Sequence, residues 1–148
     1  MIETSIHIAH TSATLAMTGL IWFVQVVHYP LFRRVGNESF IEYERLPVRR
    51  TGWVVGPVML TEAATAVLLV ALADSQPMQL LAVIGAVLLG VIWVSTWGLQ
   101  VPAHRLLEHG FDASAARRLV TSNWIRTLAW TARGAVALAM LVLAKADS

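Results

Sequence analysis

The sequence predicts an all-α protein, an antiparallel four-helix transmembrane bundle with both termini on the non-cytoplasmic side. Of its 148 residues, 57% are hydrophobic and only 14% are charged, too apolar a balance for a soluble domain of this size. From Thr4 to Phe32, and again from Ser75 to His104, there is no Asp, Glu, Lys or Arg. Each stretch exceeds the roughly 20 apolar residues that a spanning helix needs. The arginines outside the apolar stretches gather in two of the connecting segments, which gives the bundle an orientation.

The first span, about 4–31, is preceded by Glu3 rather than a basic stretch and has no small-residue cleavage site. It therefore reads as a retained helix and not as a leader. Pro30 closes it. Residues 37–46 suit a short amphipathic cytoplasmic helix, with Phe40, Ile41 and Tyr43 toward the lipid interface and Glu38, Glu42 and Glu44 toward water; Pro47 is expected to end it. The second span, about 52–73, carries one charge, Glu62. A tight turn through Asp74, Ser75, Gln76 and Pro77 starts the third, about 77–104, with proline at a helix start, where its missing N–H matters least. Gly110 ends the next turn and Asp112 is placed to cap the last helix. That helix contains the fourth span, about 122–144, and one charge at membrane depth, Arg133. A single domain covers 1–148, without repeats or low-complexity tracts.

Arg33, Arg34, Arg45, Arg49 and Arg50 lie between the first two spans, and Arg105, Arg117 and Arg118 between the last two. The opposite side has Glu3, Asp74, Asp147 and the single lysine, Lys145. The positive-inside rule puts the arginine loops in the cytoplasm, as for a bacterial inner-membrane protein. There they meet anionic headgroups, and no basic soluble segment points to nucleic acid. The absence of cysteine excludes disulfides, thiolate metal sites and a cysteine nucleophile.

Polar residues inside the spans carry the functional signal. Asn123, Arg126, Trp130 and Arg133 recur at steps of three, four and three on one helix face, and Trp93, Trp97, Gln100 and His104 do the same on the third helix. Gln25 and His28 lie at the matching end of the first. Glu62 is twelve residues from Asp74 and Arg133 twelve from Lys145. At 1.5 Å per residue both therefore sit ~18 Å inside the boundary. Opposite charges at one depth should pair in the bundle interior. The expected site is a cytoplasm-facing pocket with Glu62 and Arg133 as floor and Trp93, Trp97 and Trp130 as walls. Gln25, His28, Gln100, His104, Asn123 and Arg126 stand nearer its mouth. The pair can equally be a structural lock. His28 and His104 are candidate metal ligands or solvated interfacial histidines. A weaker metal set is Glu3, His7 and His10, at i, i+4 and i+7 on the first helix, with His10 also a candidate axial haem ligand.

His10, Gly19, Trp22 and the His28-Tyr29-Pro30-Leu31-Phe32 exit resemble the first helix of small four-helix membrane proteins of the HemJ and copper-resistance CopD type. Asn123-Trp124-Ile125-Arg126-Thr127, with Trp130 and Arg133, is similar to the last-helix entry of anthrone-oxygenase-like membrane proteins. The two stretches cover about a third of the chain. The resemblance implies redox chemistry on a hydrophobic substrate, with haem, copper or iron, or no cofactor.

Three functions follow as expectations. In an oxidoreductase or oxygenase-like protein, Arg126 and Arg133 hold the oxygens of a flat, apolar, partly anionic ligand, the tryptophans stack on it, and Glu62 or His28 moves protons. In a non-catalytic assembly, structural or ligand-binding protein the polar stripe serves packing or binding alone. A small transporter needs a homo-oligomer to supply a pathway.

Overall fold

The computed structural model describes the backbone of residues 2–32 and 37–146 and the side chains of 2–32 and 50–146. The side chains of Arg33, Arg34, Arg45, Arg49 and the expected amphipathic face of residues 37–46 lie outside the described residues, as does Asp147. Among the described residues there are four long helices and no strand: α1 (Ile2–Leu31), α2 (Asn37–Leu72), α3 (Gln76–Leu107) and α4 (Ala113–Ala146). All four contain a segment long and apolar enough to cross a bilayer, and the chain is a multi-pass membrane protein.

Side-chain pairs give the topology. Thr11 and Thr18 of α1 donate to the carbonyls of Ala137 and Trp130 of α4, and His10 and Thr14 meet Thr65 and Glu62 of α2. Residue numbers rise in one partner as they fall in the other, so both neighbours run antiparallel to α1. Gly134 lets α4 approach α1 closely, since a Cβ there would stand 3.4 Å from Leu15 and from the Thr18 hydroxyl. The outer surface is apolar, with Leu60, Val67, Leu80, Val87, Val94 and Val142 among the exposed residues, whereas His7, Thr14, Glu62, Gln100, Asn123 and Arg133 are buried. This inversion of the soluble pattern suits lipid as solvent.

Local chemistry sets the helix ends. The Asp112 carboxylate accepts from the N–H of Ala115 at 2.6 Å, capping α4 as expected. Gly110 turns the preceding loop at φ +143°, a conformation that only glycine takes without strain. In one respect the expectation fails: Pro47 does not end a separate helix, and α2 runs unbroken from Asn37 to Leu72 through Pro47 and Pro57. A proline in place removes one hydrogen bond, whereas a break would orphan up to four N–H and four C=O groups at the lipid boundary.

Two wide turns shape the interior. Val24–His28 in α1 and Thr96–Gln100 in α3 wind as π-helix, each two residues before a proline, Pro30 and Pro102. The proline ring would crowd the carbonyl four residues earlier, and the wider turn relieves that contact while re-aiming the side chains beyond it.

Candidate functional site

The widened turns bring Gln25, His28 and Tyr29 of α1 to the same end of the bundle as Gln100 and His104 of α3. Around them is a cavity of about 330 Å³ lined by all four helices. Met17, Leu20, Ile21 and Val24 of α1, Val55 of α2 and Val101 of α3 make it largely apolar. Among the described residues its polar groups are His28, Tyr29, Thr51, Thr96, Gln100, His104 and Arg126. It lies at the arginine-loop end, as the sequence implies.

Tyr29 is the residue that sequence reasoning missed. Its ring is buried, and its hydroxyl lies 3.5 Å from Gln100 Oε1 and 3.4 Å from His104 Nε2. The ring of His28 stands 5.8 Å from that of Tyr29 and 5.1 Å from that of Phe32. His28 and His104 therefore flank one tyrosine at one cavity. The available signal was that Tyr29 follows Gln25 by four residues, on its face of the helix.

A hydrogen-bonded relay stands behind the cavity wall. Gln25 Nε2 donates to the Val120 carbonyl at 3.3 Å, and Gln25 Oε1 accepts from Asn123 Nδ2 at 2.8 Å. Asn123 Oδ1 in turn accepts from Arg126 Nη1 at 3.2 Å. On α3, Gln100 Nε2 donates to Ser122 Oγ at 2.8 Å. Gln25 and Asn123 thus support the site from behind, and Arg126 and Gln100 reach into it.

Glu62, Arg133 and Trp130 sit elsewhere. Glu62 and Arg133 form the expected ion pair, and Arg133 Nη1 also donates to the Gly85 carbonyl of α3. The Thr14 hydroxyl approaches Glu62 at 3.4 Å and Thr65 meets His10 Nδ1 at 2.9 Å. This cluster does not floor the cavity. An apolar layer of Met17, Ile21, Ile92, Ala129 and Trp130 lies between them, with Met17 and Ile21 lining the cavity and Trp130 facing Arg133. Trp130 belongs to that layer, fully buried, with Arg133 Cζ 5.9 Å from its ring centre. Trp97 is no wall either. It is 62% exposed on the outer face, since the wide turn that begins at Thr96 breaks the regular spacing linking it to Gln100 and His104. Trp93 is half-buried and does not line the cavity.

The metal and haem expectations do not fit these residues. Among the described residues no group of three or more His, Cys, Asp or Glu side chains is placed to hold a metal ion. Glu3 is exposed while His7 and His10 turn into the bundle, so the Glu3, His7 and His10 set does not converge. His10 borders a space of only about 10 Å³, room for one water and not for a macrocycle. Among the described residues, no third His, Cys, Asp or Glu is grouped with His28 and His104.

Comparison with family models, curated proteins and solved structures gave no match, and the site is therefore read from its own geometry.

Proposed function

We propose that this chain is a cytoplasm-facing ligand-binding protein of the bacterial inner membrane. Its ligand is a small, flat, apolar molecule that enters from the arginine-loop side. The observation that carries the reading is the convergence of four helices on one largely apolar cavity with a few aimed polar groups, the usual form of a small-molecule site. At about 330 Å³ it falls at the small end of the roughly 300–1,000 Å³ typical of such sites. That size suits two or three fused rings better than a tetrapyrrole.

Tyr29 and His104 are the groups that can move a proton at a bound ligand, since phenol and imidazole stand within hydrogen-bond reach of each other. An oxidoreductase or oxygenase-like reaction is the chemistry the resemblance implies, and this pair supplies its proton-handling part. Glu62 and Arg133 are structural in this reading, because the apolar layer separates them from the cavity.

The test is native mass spectrometry of the protein extracted in mild detergent, with an absorption spectrum and metal analysis on the same sample. A co-purifying aromatic species that is lost on Met17→Trp, which fills the cavity, supports ligand binding. No bound species, together with unchanged behaviour of Tyr29→Phe and His104→Gln in a screen of aromatic ligands, would overturn it.

A further inference from the structure

Arg126 has more donors than the protein satisfies. A guanidinium carries five N–H groups and cannot lose its charge, yet the acceptor that Arg126 meets is Asn123 Oδ1, through Nη1. Its Nε is buried without a hydrogen-bond partner, and among the described residues no Asp or Glu lines the cavity into which it reaches. A charge at membrane depth is costly until it is paired. Arg133 shows the alternative within the same helix, since it is matched by Glu62 and by a backbone carbonyl.

The relay behind Arg126 fixes which edge stays open. Because Gln25 donates to a backbone carbonyl, its own carbonyl oxygen faces Asn123. Because Asn123 donates to that oxygen, its Oδ1 faces Arg126. Nη1 is thus held, and the remaining Nε/Nη2 edge is the two-donor fork that matches the two oxygens of a carboxylate.

We infer that the ligand of this cavity is a planar aromatic or otherwise apolar monocarboxylate, bound fork-on by Arg126, whose angle is set by Gln25 and Asn123. The inference rests on the ligand-site reading above and adds the chemical class. One arginine with an unpartnered Nε, at a largely apolar cavity, calls for one planar anion.

The experiment compares two probes of equal shape, 2-naphthoate and 2-naphthol, by calorimetry against the full chain in phosphatidylcholine nanodiscs at neutral pH, with empty nanodiscs subtracted. Charge-assisted bonds are roughly twice as strong as neutral ones, so naphthoate should bind about tenfold tighter than naphthol, or more. Arg126→Gln should remove that preference. Arg126→Lys, which keeps the charge and loses the fork, should restore little of it. Equal binding of both probes to the natural chain, or full restoration by lysine, overturns the carboxylate fork and leaves the pocket standing. Failure of both probes to bind overturns the pocket reading together with it. Displacement of naphthoate by phosphatidylglycerol in the nanodisc assigns the Arg126 edge to lipid phosphate and overturns the proposal. The ratio of the two affinities in the natural chain decides the matter even where a variant does not fold.

Discussion

Glu62 of α2 and Arg133 of α4 pair at the centre of the bundle, with their side chains 0% and 1% exposed, and Arg133 is also bound to the Gly85 carbonyl of α3. Three helices are thereby joined through one guanidinium, and Thr14 of α1 approaches the same carboxylate. Removing one partner leaves an uncompensated buried charge, and each of Glu62→Ala and Arg133→Ala should destabilise by ~3 to 5 kcal/mol. The double variant Glu62→Leu, Arg133→Leu should recover most of that loss and keep ligand binding, because the pair lies outside the cavity. Thermal unfolding in detergent with a ligand titration checks both. A stable double variant that no longer binds would return the pair to the site.

The orientation expected from the sequence rests on eight arginines between the spans at one end against one lysine at the other. A reporter active only outside the membrane should be active when fused after Ser148 and silent when inserted at Gly110. The reverse result would turn the mouth of the cavity outward.

Two tryptophans on polar-stripe positions should behave oppositely. Trp97 is exposed on the lipid face and Trp130 is fully buried in the apolar layer. Brominated lipids should quench a fluorescence component that Trp97→Phe removes and that Trp130→Phe leaves in place. Trp130→Ala should cost ~3 to 5 kcal/mol of stability, and Trp97→Leu less than about 0.5 kcal/mol.

Gly134 faces Leu15 and Thr18 across the α1–α4 contact, where the Thr18 hydroxyl donates to the Trp130 carbonyl at 3.0 Å. Gly134→Leu should force the helices apart and destabilise by ~1 to 3 kcal/mol. Gly134→Ala, whose Cβ meets ordinary contact distance, should be close to neutral. Similar gains for the two would show that the position acts through helix propensity and not through close approach.

The four spans, the capping Asp112 and the depth of the Glu62–Arg133 pair were legible in the sequence. Each depends on a local quantity: the length of an uncharged run, the spacing of residues on one helix, or a count from a charged end at a constant rise per residue. The same counting placed Gln25, His28, Gln100, His104, Asn123 and Arg126 at one end of the bundle, because antiparallel helices bring those positions level. Only the tertiary structure decided which of them share a cavity. The π turn at Thr96–Gln100 changes the facing of the residues in it, which left Trp97 in lipid. A periodic reading assumes one constant angle per residue and cannot register an inserted turn. The apolar layer that separates the ion pair from the cavity is likewise invisible along any single helix. It exists because Met17, Ile21, Ile92 and Trp130, distant in sequence, meet at one level of the bundle, and burial there is a property of packed neighbours and not of the chain taken one helix at a time.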